Sequence, residues 1–170
     1  DLLRSKSLDR NSYDSGDWFN RVDWTAQDST WVSGLPLKAD NESKWEFLRP
    51  LLGDPALEPA ADSMQAARDR ARELLEIRFS SPLFRLGVAE RIQERVAFPT
   101  SGPDQTPGLI VMTLDDRSGS DLDPGFERIV VVWNATPQTQ VAQVDGAASL
   151  SLHPVQAEGS DEVVKQTTTS

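Results

Sequence analysis

The sequence predicts a mainly β protein, with a C-terminal antiparallel β-sandwich over residues 82–170 preceded by a loop-rich segment and one α-helix over residues 1–81. Three observations lead there. Leu109–Leu114 (LIVMTL) and Ile129–Asn134 (IVVVWN) are continuous β-type runs, the pattern of strands covered on both faces. Several shorter runs after Pro82 are separated by Gly, Pro and Asp turns, as in sandwiches. Only Asp62–Phe79 carries a long helical period.

In chain order, Asp1-Leu2-Leu3 reads as the continuation of something already under way. Residues 4–60 hold Trp18, Trp24, Trp31 and Trp45 but little periodicity. So long a structureless region makes a poor independent domain and suits a segment wrapped around a larger body. Lys44–Leu52 reads as a short helix with Trp45, Leu48 and Leu52 on one face, interrupted at Pro50. In Asp62–Phe79, Asp62 or Ser63 caps the first turn. Met64, Ala67, Ala71, Leu74, Leu75 and the stem of Arg78 share one face, and Arg68, Asp69, Arg72, Glu73 and Glu76 cover the other. Ser80-Ser81-Pro82 stops it, because a residue before proline avoids the helical region. Beyond it, Leu83–Leu86 reads as the start of the sheet domain, Val88–Glu94 as a helical turn and Arg95–Phe98 as a strand. Gln140–Val144, Ala148–Leu152 and Val163–Thr168 read as weaker strands.

A chain of 170 residues is one domain, or one small domain with a fragment of another. Its formal net charge of −10 argues against a phosphate-binding surface and so against nucleic acid as a partner. With no cysteine, disulfides and thiolate chemistry are excluded. No stretch approaches the roughly 20 apolar residues of a membrane span, so no membrane partner is expected. His153, the one histidine, lacks the companions of a triad or a zinc site. Asp115, Asp116, Asp121 and Asp123 offer oxygens, but not at EF-hand spacing, and read as a solvated loop; no metal site is expected.

The stretch with most chemistry is Arg4–Trp24, RSKSLDRNSYDSGDWFNRVDW. It mixes Arg4, Lys6, Arg10 and Arg21 with Asp9, Asp14, Asp17 and Asp23, and sets Tyr13, Trp18, Phe19 and Trp24 among them. Rings beside bidentate donors and acceptors suit a ligand with apolar faces and many hydroxyls, such as a sugar. A loop folded on its own domain, rings inward, is the plainer alternative. Asp14 and Asp17 have the look of a carboxylate pair for glycoside hydrolysis, which needs two carboxyls about 5–5.5 Å apart in the retaining case. Asp in such a setting more commonly forms turns.

The same stretch resembles the segment near the end of the catalytic barrel in pullulanases and limit dextrinases, starch-debranching members of the alpha-amylase family. The likeness continues through Gly34-Leu35-Pro36, Pro50-Leu51-Leu52, Asp54–Leu57, Ile77-Arg78, Ser80–Leu86, Thr100–Asp104, Pro107–Asp116 and Leu152–Gln156. It implies that residues 1–81 are the last loop and helix of a (β/α)8 barrel, and that residues 82–170 are the family's C-terminal β-sandwich without its final strands. It implies a parent enzyme that hydrolyses α-1,6-glucosidic bonds in pullulan, amylopectin or limit dextrins with retention, be it secreted, cytoplasmic or plastid. In that family the catalytic carboxylates all precede this segment, so no residue here takes a catalytic role and the chain alone is expected to be inactive. Arg10 matches an arginine beside the glucan cleft, with Asp40 or Glu42 as the acid facing it. Arg4, Asn11, Tyr13, Asp14 and Asp17 stand in the same block as further substrate contacts, and Trp18 and Trp24 as buried anchors. The implied partners are the α-glucan and the remainder of the barrel. No cofactor is expected in this chain, although full-length relatives bind calcium. The rival reading is a non-catalytic glucan-binding module using Tyr13, Trp18 and Trp31, or a purely structural sandwich.

Overall fold

The computed structural model describes residues 2–31 and 33–169; the chain-end residues Asp1 and Ser170, and Val32, lie outside it. The helices are α1 (Asp17–Asn20), α2 (Lys38–Asn41), α3 (Trp45–Leu52), α4 (Ala61–Ser80), α5 (Ala89–Arg95), α6 (Pro154–Glu158) and α7 (Glu162–Lys165). The strands are β1 (Val96–Ala97), β2 (Leu109–Asp115) and β3 (Arg128–Asn134). Short 3-10 turns join them. The chain forms two compact units, residues 1–72 and 73–170.

In the first unit, loops dominate and side chains staple them. Asp23 accepts from the amides of Thr25 (2.9 Å), Gln27 (2.8 Å) and Asp28 (2.9 Å). This set of bonds, led by that from the Thr25 hydroxyl, holds its carboxyl down to about 2. Leu2, Ala26 and Met64 form a small core with Ala61 against it. In α3 the apolar positions Leu48 and Leu52 are buried and Trp45 is half-buried, and Pro50 is accommodated within the last turn. Lys6, Ser7 and Leu8 have φ of +50°, +49° and +56°, a left-handed turn that ordinary side chains resist. It is closed by the amide of Asp9 donating to the carbonyl of Lys6.

In the second unit, β1, β2 and β3 form one antiparallel sheet in sequence order. Val96 pairs with Leu114, and β2 pairs with β3 from Leu109↔Asn134 to Asp115↔Arg128. Leu83, Leu114 and Ile129 centre its core, with Phe84, Val96, Leu122 and Phe126 among the residues packed on them. The β2–β3 loop is organised by a buried ion pair. Arg95 donates to Asp116 Oδ1 and, at 2.8 Å, to the carbonyl of Ser120. Asp116 Oδ2 accepts from the amides of Leu122 (2.8 Å) and Asp123 (2.7 Å). At Gly119, φ is +78°, a left-handed conformation that strains ordinary side chains, and a Cβ would lie 2.6 Å from Glu94 Oε1, so glycine is favoured there.

Several sequence expectations are corrected. Helices occupy more of the described residues than strands do, and the strands found among those residues make one three-stranded antiparallel sheet. Leu83–Leu86 falls in a 3-10 turn over Pro82–Arg85, where Ser81 caps the amide of Leu83 and proline at the first position cannot donate to a ladder. Gln140–Val144 is irregular, Ala148–Leu152 is largely a 3-10 turn and coil, and Val163–Thr168 begins inside α7, capped by Asp161. β2 is covered on both faces, with Leu109, Val111 and Thr113 buried on one and Leu114 on the other, but the expected double burial fails toward the end of β3, where Val132 and Trp133 are close to half exposed, as is Ile110 in β2. The apolar stripe of α4 is buried at Met64 but exposed at Leu74 and Leu75, while Glu73, expected outside, is buried.

His153 caps α6. Its Nδ1 accepts from the amide of Val155 at 3.2 Å, so the proton sits on Nε2 and points to Ser80 Oγ, 3.0 Å away. The ring stacks on Phe126 with centroids 5.5 Å apart. A histidine in this tautomer cannot act as base toward Ser80, whose hydroxyl donates to the carbonyl of Ile77. Among the described residues no helix is long and apolar enough to cross a membrane.

Candidate functional site

The site is built by two segments of the first unit. One is the run from the left-handed turn through Arg10 and Asn11, which leads into a 3-10 turn over Ser12–Asp14 and then α1. The other is α2. Arg10 Nη2 lies 3.0 Å from Asp40 Oδ1, an ion pair between side chains that are 70% and 46% exposed. Of the two acids facing Arg10 in expectation, Asp40 is the one that pairs; Glu42 pairs instead with Lys38 at 3.1 Å, one helical turn away. Such an open pair contributes little stability. Its guanidinium retains donors toward solvent, and the carboxylate retains an acceptor, in a geometry suited to vicinal hydroxyls.

Beneath it lies a buried polar knot. The Arg10 amide donates to Asn41 Oδ1 at 3.0 Å. Asn41 Nδ2 donates to Asp9 Oδ1 at 2.8 Å and to the carbonyl of Leu37 at 2.9 Å. Asp9 also accepts from the hydroxyl of Ser15 and from the amide of Asn11. Burial pushes the Asp9 carboxyl upward, but hydrogen bonds from Ser15, Asn41 and Asn11, with the charge of Lys6, outweigh it and hold the group below the usual carboxylate range. Asn41 and Asp9 were not singled out from the sequence. They meet across 32 positions, and no period or motif marks such a pairing.

The other candidates divide. Arg4 is committed internally, donating from Nη1 to the carbonyls of Asn20 and Arg21. Asn11 caps the turn that follows it, accepting from the Tyr13 amide at 3.3 Å. Tyr13 is 94% exposed, and its hydroxyl has no partner among the described residues. Asp14 ends its 3-10 turn and Asp17 begins α1; both are exposed, their carboxylates without a partner among the described residues. The expected buried anchors are not buried: Trp18 is 56% and Trp24 76% exposed. Trp18 donates from Nε1 to the carbonyl of Ser33 at 2.8 Å and lies under the Arg21 guanidinium, which itself pairs with Asp28. Its ring is thus used on one face while the indole edge is tied down. Trp31 is half-buried, with its Nε1 unpartnered among the described residues.

No group of three or more histidines and carboxylates among the described residues is placed to hold a metal ion. The loop aspartates are spent on the fold: Asp116 on Arg95 and two amides, Asp115 on Arg117, Asp123 on the amide of Gly125. The Asp115 carboxyl lies below the usual range, first because of its hydrogen bond from Arg117.

Comparison with known proteins identifies the family. A family profile described as alpha-1,6-glucosidases, pullulanase-type, C-terminal, matches residues 26–170. Pullulanase 1, chloroplastic, from Arabidopsis thaliana is 45% identical over 173 residues, covering 98% of this chain and 18% of that protein. Pullulanase from Klebsiella pneumoniae is 39% identical over 158 residues, covering 92% of this chain and 14% of that protein. Among solved structures, PulA from Klebsiella oxytoca superposes with a TM-score of 0.79 at 39% identity, over 91% of this chain and 15% of that one. A maltotriose complex of PulA from Klebsiella pneumoniae superposes with a TM-score of 0.80 at 40% identity, over 91% of this chain and 17% of that one. The chain therefore spans less than a fifth of the length of these relatives, and it belongs to the pullulanase-type α-1,6-glucosidase family, whose C-terminal portion it matches.

Proposed function

We propose that this chain is the C-terminal portion of a starch-debranching glycoside hydrolase that cleaves α-1,6-glucosidic bonds in pullulan, amylopectin or limit dextrins with retention of configuration. Residues 1–81 form the end of the catalytic barrel, their loops over residues 4–45 closing one side of the glucan cleft. Residues 82–170 form a β-domain that steadies the barrel. The nucleophile and the acid/base come from the remainder of the parent enzyme, as does any calcium it binds. The observation that carries this reading is the solvent-facing Arg10–Asp40 pair, with exposed polar side chains at Tyr13, Asp14 and Asp17 in the same stretch of chain as Arg10. The crystallisation of a 40% identical pullulanase with maltotriose supports an α-glucan as the ligand. The exposed faces of Trp24, Phe47, Leu74 and Phe79 fit surfaces that the rest of the barrel covers.

A stand-alone binding module would line two or three aromatics along one sheet face, whereas β2 and β3 expose Ile110, Val132 and only Trp133. The test is pullulan hydrolysis by the full-length protein and by this chain, with Arg10→Ala in both. The full-length enzyme should cleave pullulan and lose about tenfold in kcat/KM on Arg10→Ala, mostly through KM, as expected for a lost charge-assisted contact. The isolated chain should show no hydrolysis. Turnover by this chain alone would refute the assignment of the catalytic carboxylates to the rest of the parent.

A further inference from the structure

We infer that Asn41 and Asp9 are positioning residues for glucan: a buried amide–carboxylate knot that fixes the Arg10–Asp40 pair at the separation the sugar requires. The inference rests on the reading of that pair as a glucan contact. An exposed arginine and aspartate do not hold each other in one geometry, because the entropy of two mobile side chains offsets the attraction. What fixes them is the backbone at each end. Asn41 is 2% exposed and directly follows Asp40 in α2. Its Oδ1 accepts from the amide of Arg10, and its Nδ2 holds both Asp9 and the Leu37 carbonyl at the start of the same helical turn. One side chain therefore ties the main chain of the arginine to the element that carries the acid, across 31 positions.

The orientation of that amide is not free. The Arg10 N–H requires an acceptor and the ionised Asp9 requires a donor, so reversing the amide would set donor on donor and oxygen on oxygen. Asp9 in turn is held by Ser15 and the Asn11 amide, which couples the knot to the turn bearing Tyr13. Three of the four hydrogen-bonding positions of Asn41 are thus filled by groups in the two segments that make the site. Since a partly satisfied buried network is unfavourable, removing one member loosens both segments together.

The test is a double-mutant cycle in the full-length enzyme, reading KM and kcat on pullulan and, separately, thermal stability. Asn41→Ala should raise KM about five- to tenfold with kcat changed less than about twofold, the signature of lost binding geometry rather than lost chemistry. In the Arg10→Ala background the same change should move KM by less than about twofold, because the group being positioned is gone, while the loss in thermal stability persists. Equal KM effects in both backgrounds would make Asn41 merely structural and overturn the inference while leaving the glucan contact intact. An unchanged KM for Arg10→Ala alone would remove the contact and the inference with it. Should Asn41→Ala fail to fold, Asp9→Asn, which keeps the shape of the site, decides by the same criterion.

Discussion

Replacing Asp116 with alanine tests the account of the second unit most severely. Arg95 and Asp116 are 1% and 2% exposed, so neither has water to fall back on. Removing one partner of a buried pair leaves an uncompensated charge and costs about 3–5 kcal/mol. Asp116→Ala also frees the amides of Leu122 and Asp123, each worth on the order of 1 kcal/mol if the loop cannot reach solvent. Residues 117–121 are exposed, so the loop can partly relax and recover hydration. The net expectation is about 4 kcal/mol, a large share of the roughly 5–15 kcal/mol that holds a typical domain together. Urea unfolding followed by the fluorescence of Trp133, the tryptophan in β3, reads this unit directly. Arg95→Met in place of Asp116→Ala should be similarly severe. The double variant should be less destabilised than the sum of the two by about 2 kcal/mol or more, since it removes both charges at once. A loss under about 1 kcal/mol for Asp116→Ala, or strict additivity, would refute the claim that this pair organises the β2–β3 loop.

Two further outcomes follow from the geometry. Burial lowers the His153 ring below its ordinary value near 6.5, so the unfolded chain binds the proton more readily than the folded one. The stability held by neutral His153 is therefore fully present above about pH 6.5 and falls as the pH drops below it; His153→Asn, which still caps α6, should flatten that slope in thermal melts between pH 7.5 and 5.5. Leu3 is 45% exposed and sits at φ +51°, so Leu3→Gly should relieve left-handed strain and raise stability by about 1 kcal/mol in the same urea assay, the reverse of the usual effect of a glycine.

The elements legible in advance were those whose signal is local. Leu109–Leu114 and Ile129–Asn134 are so rich in β-branched residues that they pair as β2 and β3 within a residue of their expected limits. The period of Asp62–Phe79 and its stop before Pro82 place α4 within a residue at each end. The shorter candidates failed for an equally physical reason. Val163–Thr168 has strand-like composition, yet the amides of Val163 and Val164 donate to the Asp161 carboxylate, which caps a helical turn in place of a ladder. Trp18 and Trp24 were expected inside because large rings usually are, but burial depends on what stands opposite, which composition cannot carry.

Sequence by itself determined the family, through many ordered blocks, and with it the candidate contact Arg10 with Asp40 or Glu42 as its acid. It also set the two main strands, the long helix and the acidic surface. Only the tertiary structure decided that Asp40 rather than Glu42 faces Arg10, that Asn41 and Asp9 lock the backbone beneath them, and that Arg95 and Asp116 hold the sheet's loop. The reason is the same in each case. Periodicity and propensity act between neighbours a few residues apart, whereas these bonds join groups 21 to 32 positions apart that meet only once the chain has folded, and the buried ones among them gain their energy where water is excluded.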